Sequence, residues 1–304
     1  MLWAIRKLEN ALVTGRGNGS PPRQQIQKEQ KMEKQDKKEW AMEKAQELRA
    51  NLDSLLNETM TDQTKIMALV NHYKINGLYN YSFLNSVMIY AQGGQLAQSF
   101  KNWQELERYV KKGEKAHIYI FVPAFKKEEN KETGEKEQFL AYFMLKPVFD
   151  VTQTEGKPLE YVHNSAETTA YSFEELSAKV SSLTRLPVNV KATGEARGYC
   201  SRNEIAISES SNNTDKIKSL LHEAAHALFH HIDEENKTRD IKETEAEAVA
   251  HLVLSFLGID YELTGEYIRG WNADKESINK ADIMKKADQL IKALRPAQEM
   301  SEAA

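Results

Sequence analysis

Cysteine is nearly absent from this chain, since Cys200 is the single one among 304 residues. One cysteine excludes an intramolecular disulfide framework, which stabilises many small secreted domains, and it fits a reducing compartment. We expect Cys200 to be a small buried hydrophobic residue. The alternative, a thiol that blocks a nearby zinc ion, has less support from the sequence.

Long apolar runs are also missing. The first segment, MLWAIRKLENALVTG, is interrupted by Arg6, Lys7 and Glu9, so it fits neither a secretory signal nor a membrane span. No other segment reaches the length of a span. The sequence therefore predicts a cytoplasmic protein without a membrane partner.

Neither sign of charge dominates the composition. The 41 Lys and Arg residues against 45 Asp and Glu residues give a formal net charge of -4. This balance excludes a globally basic nucleic-acid-binding chain, so any nucleic-acid site must be a local patch.

The most informative pattern that is present is HEAAH, in the Gly- and Pro-free segment LLHEAAHALFHH. On a helix His222 and His226 are spaced i and i+4 on one face, so both can bind one Zn²⁺. Glu223, beside the first histidine, can act on the metal-bound water. A chance match on an amphipathic helix is the alternative. The apolar neighbours favour the metal site, because a buried ionisable pair is costly unless a metal compensates it.

A catalytic zinc needs a third protein ligand and one position left for water. The segment IKETEAEAVAHLVLSFLG, residues 241–258, has a helical pattern that places Glu243 and Glu247 on one face. We expect Glu243 to be the third ligand and Glu247 to accept a hydrogen bond from the free ring nitrogen of a liganding histidine. Glu245 is expected to point away and to be solvated.

The remaining histidines are weaker candidates. His230 continues the i+4 spacing from His226, and we expect it to support the ligands from behind or to cap the core. His231 and His251 are expected to be ordinary surface or packing residues.

The pattern predicts metal-assisted hydrolysis of a protein substrate, with Glu223 as the general base and later the proton donor to the leaving amine. The segment 204–208, EIAIS, alternates in polarity just before the motif helix. It is a candidate edge strand along which an extended substrate would lie. A plain sheet strand without a substrate role is an equal alternative.

The chain as a whole predicts an α+β fold. Residues 1–48 are expected to be a flexible charged arm, in which 24–48 form either a solvated helix or a disordered tract. Residues 49–160 predict a helical layer with a small antiparallel sheet, including a helix over 104–110 and strands near 117–125 and 139–145. Residues 161–297 form the second, peptidase domain, and 298–304 are expected to fray.

A basic turn lies among aromatic residues in the first domain. Three lysines, Lys111, Lys112 and Lys115, stand close in sequence to Trp103, Tyr109, Tyr119 and Phe121. Cations that follow phosphates and rings that stack on bases hold single-stranded nucleic acid in this way. From composition alone, a solvated turn above core aromatics is favoured.

The order of segments resembles a known family. YSFLNSVMIYAQ (81–92), FKNWQELERYVKKGEKAHIYIFVP (100–123) and PVFDVTQTEGKPL (147–159) resemble the N-terminal domain of ArdC-type antirestriction proteins. HEAAH and ETEAEAVA resemble their zincin-like C-terminal domain and the ImmA/IrrE metallopeptidases. The overall order is similar to LtrC-like proteins of conjugative elements, although HEAAHALFHH lacks the tryptophan usual in ArdC.

The resemblance implies a zincin-like metallopeptidase domain and single-stranded DNA binding by the first domain. It also implies a role in plasmid or transposon transfer and in protecting incoming DNA from restriction. The implied DNA-binding positions, with Tyr119 added from the lysine and aromatic pattern, are Asn85, Trp103, Lys111, Lys112, Gly113, Lys115, Tyr119, Phe149 and Gln153.

Three hypotheses follow from the sequence. The preferred one is a zinc metallopeptidase of a mobile element that binds single-stranded DNA and cleaves an unidentified protein. The second is a DNA-binding protein with structural zinc and no turnover. The third is an ImmA-like antirepressor protease whose first domain recruits a protein target.

Overall fold

The computed structural model describes residues 23–77, 81–129, 136–159 and 171–295. The chain divides into two compact units, Met1–Glu47 and Leu48–Ala304. Of the predicted arm, residues 1–22 lie outside the described part, and from Arg23 onward the chain is helical. The predicted frayed tail, 298–304, also lies outside the described part.

Among the described residues, the first half of the chain contains four helices and five strands. Its helices are α1 (Arg23–Thr59), α2 (Gln63–Gly77), α3 (Phe83–Ala91) and α4 (Phe100–Glu105). Its strands are β1 (Ala97–Gln98), β2 (Arg108–Val110), β3 (Ile118–Glu129), β4 (Lys136–Asp150) and β5 (Thr154–Gly156), with a 3₁₀ turn at Val151–Gln153.

The second half contains a small sheet and five helices among the described residues. In chain order they are α5 (Phe173–Thr184), β6 (Val188–Lys191), β7 (Gly198–Cys200), β8 (Ile205–Ser208), α6 (Asn213–Phe229), α7 (Arg239–Leu257), α8 (Gly265–Asp274) and α9 (Lys280–Leu294).

Short polar side chains start most of these helices. The Asn212 side chain caps α6 by accepting from the Asp215 backbone N–H, and the Thr238 side chain caps α7 by accepting from the Ile241 N–H. Such caps satisfy backbone donors that have no partner inside the helix. At the other end, α6 stops at His230 and α7 at Gly258, both in the left-handed conformation. The two helices that carry the site therefore have fixed ends.

The described part of the first half has two sheets: β2 pairs antiparallel with β5, and the larger sheet is built on a long antiparallel hairpin. Strands β3 and β4 pair from Ile118↔Val148 outward, and β1 joins the other edge of β4. The prediction of a helix over 104–110 was wrong beyond Glu105, and the helix begins earlier than predicted, at Phe100. Helix α4 ends at Glu105 because Glu107 takes a positive φ of 56° and the chain turns into β2.

The sheet of the second half has the order β6-β8-β7. The middle strand, β8, pairs in parallel with β6 and antiparallel with β7. The expectation that 204–208 is an edge strand was therefore wrong, because both of its edges are already hydrogen-bonded. The strand at the edge beside the motif helix is β7.

The larger of two hydrophobic clusters among the described residues runs through the second compact unit. It contains buried residues from Leu48 to Leu294, so side chains of both predicted domains contribute to it. Asp288 on α9 accepts from the Tyr73 hydroxyl at 2.7 Å and from the Phe83 backbone N–H at 3.1 Å. The structure confirms the α+β class. Among the described helices, none has the length and apolar character needed to cross a membrane.

Candidate metal centre and nucleic-acid surface

Helix α6 buries one side and turns its histidines to a cleft. Leu220, Leu221 and Ala225 are fully buried in the core, while His222 and His226 are partly exposed. This division follows from the helical period, which places residues three and four apart on the same side. The sequence thus folds locally into a helix that presents both rings in one direction.

Helix α7 brings a carboxylate to the two rings. The Nε2 atoms of His222 and His226 are 3.1 Å apart, and Glu243 Oε2 lies 3.3 Å from the first and 3.6 Å from the second. A tetrahedral ion with bonds of about 2.0–2.1 Å has ligand-to-ligand distances of roughly 3.3–3.4 Å. The three donor atoms therefore have the size of one face of such a tetrahedron, and they form a possible metal-binding group.

The outer nitrogen of His222 has a carboxylate partner. His222 Nδ1 lies 2.9 Å from Glu247 Oε2, and Glu247 Oε1 lies 3.3 Å from His251 Nε2. Burial opposes protonation of His222, but hydrogen bonds to Glu243 and Glu247 outweigh it and raise the pKa of His222 to about 10. A ring bonded in this way is held in place and is a better electron donor to a metal.

The outer nitrogen of His226 has a different partner. His226 Nδ1 lies 2.9 Å from His231 Nδ1, and His231 Nε2 lies 3.1 Å from Glu245 Oε2. Lys237 Nζ donates to both oxygens of Glu245, at 2.8 and 2.7 Å. The hydrogen bonds to His231 and Lys237 outweigh the burial of Glu245 and lower its pKa.

Two expectations are corrected by this chain of contacts. Glu245 is fully buried rather than solvated, and His231 is 4% exposed and contacts a candidate ligand. The physical reason is the left-handed residue His230, which ends α6 and turns the chain so that the next ring returns under the helix. His230 itself is exposed. The supporting role that the sequence analysis expected of His230 therefore falls to His231.

His251 is a buried packing residue between Tyr261 and Tyr267, as expected.

Glu223 lies beside the two histidines on α6 and lines the larger cleft. Its side chain is buried, and burial raises the pKa of its carboxyl, although the positive charge of nearby histidines acts in the opposite direction. The backbone of Cys200 on β7 hydrogen-bonds to it. A Cβ on Gly198 would lie only 3.3 Å from Glu223 Cγ, so the glycine leaves room for this carboxylate under the edge strand.

Cys200 is half-buried beside the same carboxylate. Burial, with a further contribution from the charge of Glu223, raises the pKa of its thiol to about 12. Among the described residues, the group that could hold a metal consists of His222, His226 and Glu243 and does not include Cys200, so the alternative of a zinc-blocking cysteine has no geometric support.

The candidate metal ligands lie between two clefts. The larger has a volume of about 1010 Å³ and extends along β7, past Gly198, Tyr199 and Cys200. The smaller, of about 780 Å³, extends toward α8. Both are lined by His222 and Glu243. Space for an extended chain therefore exists on both sides of the donor atoms.

Four of the implied DNA-binding residues have structural roles. Trp103 is fully buried and donates its indole N–H to the Phe149 carbonyl at 2.8 Å, so its ring cannot stack on a base. Asn85 bonds both backbone groups of Phe121. Gln153 is buried and donates to the Lys115 carbonyl at 2.9 Å. Gly113 has a positive φ of 94° and shapes the turn.

The lysines of that turn are exposed. Lys112 and Lys115 face solvent, and exposed Lys111 donates to the Thr152 carbonyl at 3.0 Å. Tyr119 and Phe149 are half-buried. The sequence reasoning did not single out Phe100, which is 52% exposed and meets the Phe149 ring edge to face at 6.2 Å.

The segment FKNW contains two aromatic residues, Phe100 and Trp103. Their difference in burial follows from the position at which α4 begins. Ser99 caps the helix, which leaves Phe100 at its first, outward position and puts Trp103 one turn later in the core. Ser at the cap was the available signal.

Comparisons with known proteins find one match over the first half of the chain and another over the region that carries the candidate metal ligands. Residues 24–149 match the family model for the N-terminal domain of the anti-restriction factor ArdC, and residues 181–255 match that for the IrrE N-terminal-like peptidase domain. A comparison with curated proteins finds no match.

Among solved structures, the chain is similar to the antirestriction ArdC protein from R388 plasmid. The metal-free form is 22% identical, with 73% of this chain and 84% of that chain covered and a TM-score of 0.42. The Mn(II)-bound form is 20% identical, with 82% and 97% covered and a TM-score of 0.43.

Proposed function

We propose that this chain, which joins an ArdC-type N-terminal domain to an IrrE-like peptidase domain, is a zinc-dependent peptidase that also binds single-stranded DNA. In this proposal it is a cytoplasmic protein of a mobile element, and it protects incoming DNA from restriction. The observation that carries the peptidase assignment is the triangle of His222, His226 and Glu243 donor atoms beside the buried Glu223.

The donor set fits a zinc-type ion. Two imidazoles and a carboxylate are common ligands of catalytic zinc, and their mutual distances match a tetrahedral face with the fourth direction open to the clefts. An ion held there supplies Lewis acidity toward a peptide carbonyl. Sites of this composition also accept other divalent ions, so the metal is to be identified by measurement.

Glu223 performs the proton transfers. Its carboxylate accepts the proton of the attacking water and later gives it to the nitrogen of the leaving amine. The raised pKa makes the carboxyl a better proton acceptor, because acid–base groups work best with a pKa near the working pH. The Cys200 backbone helps to orient this carboxylate. Among the described residues no strand pairs with the outer edge of β7, so an extended substrate can add to it beside Cys200.

The peptidase proposal is tested with a quenched fluorescent peptide library and metal analysis on the same samples. Wild type is expected to contain one zinc per chain and to cleave library members. Glu223→Gln keeps the metal and loses about 10²–10⁴-fold in rate, whereas Glu243→Gln loses metal as well. Metal without cleavage by wild type would favour the structural-zinc hypothesis.

Single-stranded DNA binding is carried by a second observation. The exposed lysines 111, 112 and 115 lie on a turn whose Lys115 carbonyl accepts a hydrogen bond from Gln153. Phe149 lies just before Gln153 in the chain, and its ring meets the exposed ring of Phe100. Cations beside accessible ring faces bind strands without demanding a sequence. We therefore propose Phe100 and the three lysines as the contact residues, with Trp103 and Gln153 as their framework.

A salt series with a fluorescent single-stranded oligonucleotide tests this surface. Replacing the three lysines together by Ala is expected to weaken binding and to flatten its salt dependence, since each phosphate contact releases counterions. Phe100→Ala removes stacking and costs about 1–3 kcal/mol of binding free energy. The matched control, Lys65→Ala, leaves affinity unchanged. Zinc without any DNA binding by wild type would favour the antirepressor protease that recruits a protein.

A further inference from the structure

We infer that His231 is a positioning residue for the candidate ligand His226, and that Glu245 and Lys237 hold His231 in the one tautomer that serves this role. The inference rests on the proposed metal site and assigns it a support that the HEAAH motif does not contain.

Donor and acceptor matching fixes the order of protons. If His226 offers the lone pair of Nε2 to a metal, its proton is on Nδ1 and points to His231 Nδ1, 2.9 Å away. His231 must then accept at Nδ1, which leaves its own proton on Nε2 for Glu245, 3.1 Å away. Each hydrogen bond in the chain is satisfied by one tautomer of each ring.

Burial makes this order obligatory. The side chains of His231 and Glu245 are 3% and 0% exposed, so water cannot replace a missing partner. Lys237 donates to both Glu245 oxygens and compensates the buried charge. Phe229 stacks on the His231 ring with an interplanar angle of 4°, which fixes the ring plane. His231 therefore has neither a free rotation nor a free nitrogen.

The two candidate histidine ligands consequently have unequal supports. His222 hydrogen-bonds directly to a carboxylate, Glu247, whereas His226 hydrogen-bonds to a neutral imidazole that separates it from Glu245. A carboxylate partner raises the basicity of a liganding ring more than a neutral one does. The role of His231 is thus mainly to orient His226 and to fix its tautomer.

Two variants of His231 separate positioning from packing. Gln places an acceptor and a donor about as far apart as the two ring nitrogens, so His231→Gln can keep both hydrogen bonds. His231→Phe keeps the stacking on Phe229 and removes both bonds. The neighbouring His230→Asn is the matched control, because His230 is exposed and Asn tolerates its left-handed conformation.

The readouts are zinc affinity by chelator competition and the visible spectrum of the Co²⁺-loaded protein. We expect His231→Phe to weaken zinc binding by about 10–100-fold and to change the Co²⁺ spectrum. His231→Gln is expected to restore most of the affinity, and His230→Asn to match wild type. A folded His231→Phe protein with wild-type affinity and spectrum would overturn the inference.

A measurement on wild type keeps the inference testable if the variants fail to fold. Long-range ¹H–¹⁵N correlation spectra of the zinc-loaded protein distinguish the protonated from the unprotonated nitrogen of each ring. We expect the proton of His231 on Nε2, and a proton on Nδ1 instead would contradict the inference. Absence of zinc binding by wild type is a different outcome, because it removes the proposed metal site itself.

Discussion

At the scale of single residues, the candidate site depends on a glycine as much as on its charged groups. A Cβ at Gly198 would lie 3.0 Å from the Ala206 carbonyl and 3.3 Å from Glu223 Cγ. Gly198→Ala is therefore expected to shift β7 or the carboxylate, to cost about 1–3 kcal/mol of unfolding free energy and to lower the rate of peptide cleavage while zinc remains bound. Denaturant unfolding and metal analysis measure both effects.

The control for this substitution is Gly265→Ala. Gly265 is the first residue of α8, and an added Cβ would have only the end of the Arg269 side chain within ordinary contact, at 3.6 Å. Equal losses in the two variants would show that Gly198 has no special relation to Glu223.

The protonation of His222 gives a pH prediction. Its pKa is raised to about 10 by Glu243 and Glu247 against the effect of burial, so the metal-free ring carries a proton at neutral pH. Zinc binding must release that proton. As long as the pH is below the raised pKa, zinc affinity should therefore increase about tenfold for each unit by which the pH is increased. Calorimetry in buffers of different ionisation enthalpy measures the release. A binding enthalpy that is the same in all buffers would contradict it.

At the scale of elements, α6 and α7 pack against each other, and both helices bury small residues. Ala224 and Ala225 on α6 and Ala246 on α7 are all fully buried. Ala246→Leu is expected to push the helices apart, to cost about 1–3 kcal/mol and to separate Glu243 from the histidines, with a loss of zinc affinity. The same change at exposed Ala281 on α9 is the control. Unchanged zinc affinity in a destabilised Ala246→Leu protein would separate packing from the site.

The elements also show what local sequence can and cannot predict. The helix with HEAAH and the helix with Glu243 could be predicted, because the helical spacing of apolar residues is a property of each segment alone. The position of β8 in the middle of its sheet was not, because a strand of four residues carries no information about what pairs on each side. The role of His231 was hidden for a related reason, since it depends on the left-handed turn at His230 and on Glu245 from another helix.

At the scale of the whole molecule, the two predicted domains share interior contacts. Asp288, from the peptidase half, accepts from Tyr73 and Phe83 of the first half, and it pairs with Lys292 at 2.7 Å. Asp288→Ala leaves the buried Tyr73 hydroxyl and Phe83 N–H without this acceptor. Each such unsatisfied donor costs about 1–3 kcal/mol, so thermal unfolding should shift clearly downward. Asp288→Asn, which keeps an acceptor oxygen, should lose less, and equal losses would argue against this reason.

A shared core has a consequence for the boundary predicted at residue 160. Core residues of α2 and α3, such as Leu69 and Val87, belong to the same cluster as Val253 of α7 and Ile291 of α9. A fragment 161–297 would expose the faces that these residues cover, and surface of that kind is worth about 25 cal/mol per Å². We therefore expect the fragment alone to unfold at low denaturant and to bind zinc weakly, although it contains all three candidate ligands.

Coexpression with a separate fragment 23–160 tests whether the missing core is the cause. If the two pieces associate, zinc affinity and cooperative unfolding should return without a peptide bond between them. A fragment 161–297 that folds cooperatively and binds zinc like the whole chain would show that the shared core is not needed. In that case the ArdC-like and IrrE-like parts would be energetically independent.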